Sequence, residues 1–209
     1  PGQAVALTLG LSASGILCAV LLGQAVGITS LLILLLATLY NLIGKRLGFL
    51  GNLMVALCVS STFTLGSLTR GWPPGAIPVA LTGVSFLSSL ALETAGDIHD
   101  ARGDRESGSR SFAVRHGVRA ATTLYLLLCS VIAFLSVALP FLLPPQTRLV
   151  LLATIPAGAV FLGAAGVFAR AAHRPDQNSS GLRMTRIIGV QTTALMAGVV
   201  SMTVIVWLL

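Results

Sequence analysis

Long apolar stretches separated by short polar segments run the length of this chain. Seven of them approach the roughly 20 residues that an α-helix needs to cross the hydrocarbon core of a bilayer. They lie at residues 3–22, 27–43, 52–69, 77–95, 120–140, 148–170 and 186–209. The pattern predicts an all-α fold, a polytopic bundle of seven transmembrane helices. Because the connecting segments are short and none is a low-complexity linker, it also predicts a single domain over residues 1–209.

The composition agrees with this pattern. Of the 209 residues, 55% are hydrophobic and 9% are charged, and the mean hydropathy is +0.93. A soluble domain carries roughly 25% charged residues. The composition therefore excludes an ordinary soluble domain and indicates an integral membrane protein.

Positive charge alternates between the segments that connect the apolar stretches. The first, third and fifth segments carry at most one basic residue each, whereas the second, fourth and sixth carry two or more. The positive-inside rule places the basic segments in the cytoplasm. We therefore expect a protein of the cell membrane whose fourth connecting segment is cytoplasmic and meets anionic lipids. Nucleic-acid binding is not expected, because no basic face is interleaved with stacking aromatic residues.

Negative charge is concentrated in one place. Five of the six carboxylates of the chain lie within fourteen residues, and they are Glu93, Asp97, Asp100, Asp104 and Glu106. On a helix the first four fall in a stripe about 60° wide at 100° per residue. Like charges three and four residues apart destabilise a helix, and a bridging divalent cation reverses that effect. Mg²⁺ is the natural candidate, because it takes oxygen ligands and bridges to phosphates.

Glycines within this acidic segment predict where its helix ends. Gly103 and Gly108 each disfavour helix by about 1 kcal/mol relative to alanine. We therefore expect the helix to fray or end near them. The stripe is then secure for Glu93 to Asp100, and Asp104 is expected on the loop that follows.

Two motifs carry a resemblance to a known family. From Asp97 to Gly117 the sequence follows D-x-x-D-x-x-x-D-R-x-x-G-x-R-S-x-A-V-x-x-G, which resembles the second aspartate-rich motif of the UbiA superfamily of intramembrane prenyltransferases. The extra Asp97 and the Asp104-Arg105 pair are similar to the archaeal-type branch that makes digeranylgeranylglyceryl phosphate. Upstream, Tyr40-x₄-Lys45-Arg46-x₄-Gly51-Asn52 resembles the family's Y-x-x-x-L-K-R…G-N segment.

The chain departs from the family pattern in three respects. The archaeal branch often has R-E-x-x-K-D before the acidic motif, where this chain has Leu92-Glu93-Thr94-Ala95-Gly96-Asp97. Members of the family have nine helices, so the seven predicted here correspond to the third to the ninth. The first aspartate-rich motif belongs to the first two helices and has no counterpart in this sequence. The resemblance therefore implies that the 209 residues alone are inactive.

The resemblance implies an Mg²⁺-dependent prenyltransferase. It would move a polyprenyl group, geranylgeranyl by the branch resemblance, from its diphosphate to a lipid-phosphate acceptor such as geranylgeranylglyceryl phosphate. By this resemblance the catalytic residues are Asp100, Asp104 and Tyr40, and the metal ligands are Asp97, Asp100 and Asp104. The diphosphate contacts are Lys45, Arg110 and Asn52, and these groups are supported from behind by Glu93 and Arg105.

Other functions remain open at this point. An aromatic quinone precursor is the alternative acceptor for the same chemistry. A transporter-like bundle with a cytoplasmic cation site is a non-enzymatic alternative, but transporters place ionisable groups at mid-membrane, and the predicted spans are nearly free of charge. A CDP-alcohol phosphotransferase is disfavoured, because Asp100-Ala101-Arg102 matches only a fragment of its motif. Zinc is not expected, since no ligand spacing supports it.

Overall fold

The structure is a computed structural model that describes residues 2–44, 47–71, 73–142, 152 and 154–172. Within these residues the regular elements are all α-helices, which confirms the all-α prediction. In chain order they are α1 (Gly2–Leu22), α2 (Gln24–Ile43), α3 (Phe49–Leu68), α4 (Ala76–Glu106), α5 (Phe112–His116), α6 (Val118–Leu142) and α7 (Thr154–Ala172).

Five of the described helices are long and apolar enough to cross a membrane: α1, α2, α3, α4 and α6. They coincide with the first five apolar stretches of the sequence. The sixth stretch corresponds to α7, in which Gly158–Val167 forms a shorter apolar helical segment. The seventh stretch, residues 186–209, lies outside the described residues.

Helix α4 extends well beyond its apolar stretch. It has 31 residues, which is about 46 Å at 1.5 Å per residue, whereas the hydrocarbon core is about 30 Å thick. Its last turns therefore project beyond that thickness and carry the acidic residues. We refer to this end of the bundle, where α2 and α4 end and α3 begins, as the acidic end.

The helix ends just before Gly108, within the predicted region, but the expected position of Asp104 was wrong. Helix α4 continues through Gly103 and ends at Glu106, so Asp104 lies on the helix and not on a loop. The propensity cost of one glycine is about 1 kcal/mol, which packing along a long helix outweighs. The chain leaves the helix at Gly108, whose φ of 74° is the left-handed conformation typical of a helix C-terminus.

Helix α4 is the centre of the described bundle. It packs against α3 on one side and α6 on the other, α6 packs against α7, and α1 and α2 extend the bundle beyond α3. Small residues fill the contacts around α4, among them the fully buried Ala56, Ala91, Ala95 and Ala121. Small side chains let helix backbones approach closely, which is how transmembrane helices associate.

The short helix α5 was not predicted from the sequence. It has five residues and follows the loop at 107–111. The ring centroid of Phe112 lies 5.4 Å from that of Phe49 at the start of α3 and 4.6 Å from that of His116. These ring contacts place the loop between α4 and α5 over the acidic end of the bundle.

Candidate active site

A cavity of about 340 Å³ opens at the acidic end, between α2, α3, α4 and the loop that leads to α5. Its lining consists of glycines and polar side chains. The lining residues are Tyr40, Gly44, Gly48, Gly51, Asn52, Glu93, Gly96, Asp97, Asp100, Asp104, Ser109 and Ser111. Glycines leave the space open, and the polar side chains surround it.

The carboxylates of the predicted stripe share one wall of this cavity. Glu93, Asp97, Asp100 and Asp104 all line it, and all four lie on α4. Because Asp104 stays helical, the stripe has four members where the sequence secured three. The fifth acidic residue, Glu106, is exposed, and its Oε1 lies 3.3 Å from Nε of Arg102.

Two bonds from other elements hold Asp97 in place. The side-chain amide Nδ2 of Asn52 donates to Asp97 Oδ2 at 2.9 Å, and the backbone N–H of Phe112 donates to the same oxygen at 3.1 Å. These bonds connect α3 and α5 to α4. Because both bonds go to Oδ2, they leave Oδ1 of Asp97 for other ligands.

The carboxylates of the stripe differ in their exposure. Asp100 is exposed, and its Oδ1 lies 2.7 Å from Nδ1 of the neighbouring His99. Asp104 is partly buried, like Glu93 and Asp97. The wall thus has one exposed carboxylate, Asp100, between partly buried ones, which makes it accessible to a charged ligand from the aqueous side.

The donor set fits Mg²⁺ shared with a ligand. The carboxylates and hydroxyls that line the cavity offer oxygen donors, the type that Mg²⁺ prefers. Among the described residues, no three His, Cys, Asp or Glu side chains form a group that would hold a metal ion. Mg²⁺ usually binds through one or two carboxylates plus waters and substrate phosphates. The arrangement therefore suits a metal that a phosphate ligand helps to hold, and does not provide a closed protein cage.

Glycines at the end of α2 and the start of α3 also line the cavity. A Cβ at Gly51 would lie 2.5 Å from the carbonyl oxygen of Gly44, and a Cβ at Gly44 would collide with the ring of Tyr40. Gly48 has a φ of 60°, and a Cβ there would collide with the carbonyl oxygen of Arg110. These glycines let the turn, the Tyr40 ring and the α4–α5 loop approach one another.

The structure brings some predicted site residues together and not others. Tyr40 and Asn52 line the cavity together with the four carboxylates. Arg105 and Arg110 are exposed and are not among its lining residues. Lys45 lies outside the described residues. The roles assigned to all of them as ligands remain predictions.

Sequence reasoning assigned no role to Ser109 and Ser111, which line the cavity. Ser111 was part of the quoted motif as the residue after Arg110, so the signal was present. What the sequence lacked was the fold of the loop, which turns this serine toward α4.

The chain is similar in sequence to proteins named digeranylgeranylglyceryl phosphate synthase. The chain is 35% identical over 108 residues to a digeranylgeranylglyceryl phosphate synthase of Methanoregula boonei, which covers 52% of this chain and 38% of the relative. It is 33% identical over 151 residues to the protein of the same name in Ignicoccus hospitalis, and this match covers 67% of this chain and 48% of the relative. It is 38% identical over 84 residues to the protein of that name in Korarchaeum cryptofilum, and this match covers 40% of this chain and 30% of the relative.

The fold has a solved counterpart. A structure from work on digeranylgeranylglyceryl phosphate synthase in membranes matches with a TM-score of 0.68 and 19% identity, over 94% of this chain and 69% of that one. At this identity the likeness concerns the fold. The aligned regions span less than half the length of the three curated relatives. The family itself is shown directly, since residues 1–187 match the description "UbiA prenyltransferase family", and the chain belongs to that family.

Proposed function

We propose that the protein containing this chain is a prenyltransferase whose donor is geranylgeranyl diphosphate. It would transfer the geranylgeranyl group to a glycerophosphate-type lipid acceptor such as geranylgeranylglyceryl phosphate. The family membership and the names of the relatives support prenyl transfer to such an acceptor. The observation that carries the proposal is the wall of four carboxylates in a polar cavity at the end of apolar helices.

The acidic wall supports diphosphate binding through a cation. Carboxylates and a diphosphate repel each other, so they share a cavity only if cations lie between them. Asp97, Asp100 and Asp104 would hold Mg²⁺ there. When bound, Mg²⁺ would neutralise charge that develops on the pyrophosphate leaving group as the C–O bond breaks.

The remaining predicted residues have roles that fit their chemistry. Lys45 and Arg110 would contact the diphosphate, Lys as a point charge and Arg through its planar fork. Asn52 would help to place the diphosphate, and its bond to Asp97 holds that carboxylate in position. Tyr40 would offer its ring face to the positive charge on the allylic carbon.

Two residues would act through their neighbours. Glu93 lines the inner part of the cavity, one helical turn from Asp97, and would support the metal site from behind. Arg105 is exposed beside Asp104 and would balance the charge of the acidic wall. The apolar helices around the cavity would keep water from the reacting carbon.

The protein is proposed to lie in the plasma membrane, with its acidic end facing the cytoplasm. The alternation of basic residues along the sequence supports this orientation. Soluble Mg²⁺ would then reach the cavity from the same side as the basic connecting segments.

The test is an assay of the full-length natural protein in lipid nanodiscs, with geranylgeranyl diphosphate and geranylgeranylglyceryl phosphate. We expect turnover that EDTA abolishes and added Mg²⁺ restores. Asp100→Asn should lower kcat/KM by about 100-fold or more, because a residue that stabilises transition-state charge typically contributes that much. Glu106→Gln is the matched control, since this carboxylate is on the same helix but does not line the cavity.

Each outcome has a defined meaning. Undiminished turnover in Asp100→Asn would contradict the role given to the acidic wall. Turnover that needs an aromatic acceptor in place of the glycerophosphate would replace the acceptor assignment and keep the donor site. Full activity in EDTA would remove Mg²⁺ from the proposal.

A further inference from the structure

One hydroxyl in the cavity wall is not used to hold the protein together. Ser111 lines the cavity and is 7% exposed, yet its Oγ has no hydrogen-bond partner within the described part of the chain. Buried polar side chains in native proteins are nearly always hydrogen-bonded. An unpaired buried hydroxyl at the edge of a polar cavity therefore points to a ligand atom as its partner.

The backbone on both sides of Ser111 is fixed by contacts that do not involve its side chain. Before it, the carbonyl oxygen of Arg110 packs against Gly48. After it, the N–H of Phe112 donates to Asp97 Oδ2 at 3.1 Å, and the Phe112 ring packs on Phe49. Ser111 is thus held beside the acidic wall from both directions without any bond from its own hydroxyl.

The Ser111 side chain does not cap the helix that follows it. Ser111 is the N-cap residue of α5, but its side chain makes no capping hydrogen bond. An N-cap serine normally accepts a bond from a backbone N–H in the first turn. Because that bond is not made, the hydroxyl is not committed as an acceptor and a rotation about χ1 can direct it to a ligand.

We propose that the Ser111 hydroxyl donates a hydrogen bond to a phosphate oxygen of the donor diphosphate, an inference that rests on the proposed function. The adjacent Phe112 N–H bonds Asp97, a proposed metal ligand, so Ser111 stands next to the carboxylates that would meet the diphosphate through the metal. The described lining residues include no basic side chain, so a neutral donor there would add to the contacts proposed for Lys45 and Arg110. A serine hydroxyl supplies one such donor without adding charge.

The experiment uses Ser111→Ala in the full-length protein in nanodiscs. Two quantities are measured: Kd for inorganic pyrophosphate with Mg²⁺ present, and KM for each substrate. A hydrogen bond to a charged group is worth about a tenfold change in affinity. We expect Kd for pyrophosphate and KM for geranylgeranyl diphosphate to rise by about tenfold, and KM for the glycerophosphate acceptor to stay unchanged. Ser111→Thr, which keeps the hydroxyl, should restore both values.

Ser88→Ala is the matched control. Ser88 lies on α4 and is 1% exposed, and its Oγ also has no partner among the described residues, but it does not line the cavity. Thermal unfolding of both alanine variants measures any loss of fold. Ser88→Ala should leave Kd for pyrophosphate unchanged.

Several results would overturn the inference. They are an unchanged Kd for pyrophosphate in Ser111→Ala, an equal rise in Ser88→Ala, or failure of threonine to rescue. A rise confined to the acceptor KM would also overturn it, since the partner would then be the acceptor phosphate. A tenfold weaker Kd in a protein with no prenyl transfer would support the Ser111 contact and overturn the proposed function, so the two failures can be told apart.

Discussion

Asp97 shows how individual residues prepare the site. Asn52 and the Phe112 N–H both donate to one of its oxygens, so the carboxylate is oriented before any ligand arrives. A carboxylate that is half-buried without donors would be costly. The two bonds offset that cost and fix the direction of the free oxygen.

Removing one of these donors should weaken the site without removing a carboxylate. Asn52→Ala deletes the 2.9 Å bond to Asp97, and hydrogen bonds to charged groups contribute about 1.5–3 kcal/mol. We expect kcat/KM to fall by roughly 10-fold or more and the Mg²⁺ concentration for half-maximal activity to rise. Both are measured in the nanodisc assay.

Asn41→Ala serves as the control for this change. Asn41 is an exposed asparagine near the end of α2 and does not line the cavity. Equal effects of the two substitutions would mean that loss of an asparagine near the acidic end, and not the orientation of Asp97, explains the result.

At the scale of elements, the turn between α2 and α3 and the loop before α5 depend on each other. Gly48 has a φ of 60° and touches the Arg110 carbonyl. Phe49, which follows it, packs its ring against Phe112. Since Gly48 has no Cβ, the Arg110 carbonyl can lie close to it, and this contact helps to hold the α4–α5 loop over the cavity.

Gly48→Ala should disturb this contact. Alanine would be strained at positive φ by about 1–2 kcal/mol, and its Cβ would push against the Arg110 carbonyl. We expect a lower temperature of unfolding and a rise in KM for the donor. Gly71→Ala separates the two causes, because Gly71 also has positive φ (122°) but a Cβ there meets nothing within 4 Å. A donor KM that rises equally in Gly71→Ala would argue against the loop contact as the cause.

The contact between α6 and α7 depends on another glycine. A Cβ at Gly158 would lie 2.8 Å from Cβ of Ser136 and 3.3 Å from Cα of Ala133. Gly158→Val should force the helices apart and destabilise the protein by about 1–3 kcal/mol, the usual cost of overpacking. Thermal unfolding in detergent measures this effect.

Gly163→Val on the same helix is the control, because a Cβ at Gly163 meets nothing within 4 Å. If both valine variants unfold at the same temperature, close packing at Gly158 does not stabilise the α6–α7 pair.

At the scale of the whole molecule, length and hydrophobicity separate the two ends of the bundle. Helix α4 is longer than the hydrocarbon core is thick, so its acidic C-terminal turns extend beyond the core. The opposite end, where α3 meets α4, has Thr69 and Arg70 in its connecting segment. The membrane orientation thus decides whether the cavity opens to the cytoplasm.

Cysteine labelling tests that orientation. With Cys18, Cys58 and Cys129 replaced by alanine, Ser107→Cys places a thiol at the acidic end and Thr69→Cys places one at the opposite end; both positions are exposed. In intact cells a membrane-impermeant maleimide should label Thr69→Cys, and Ser107→Cys only after permeabilisation. The reverse pattern would show that the positive-inside reading is wrong for this protein.

Part of the site was readable from the linear sequence. Glu93, Asp97 and Asp100 share a helical face because their spacing follows the period of 3.6 residues, and this holds whatever packs around them. Asp104 was misplaced because glycine propensity is a weak local term that the packing of a 31-residue helix overrides. Ser111 had no predicted role, since loop conformation depends on contacts with distant residues.

The all-helical membrane fold and the acidic helix face could be predicted without the structure, because hydrophobic period and residue spacing are local properties, and the resemblance of two motifs indicated the UbiA family. Only the folded chain shows that Asn52 bonds Asp97, that Ser111 lines the same cavity as the carboxylates, and that Arg105 and Arg110 are not among the lining residues. Contacts at this end of the bundle join residues that are far apart in the sequence, such as Asn52 with Asp97 and Phe49 with Phe112. They arise where glycines at the α2–α3 turn let helices approach, which no local pattern specifies.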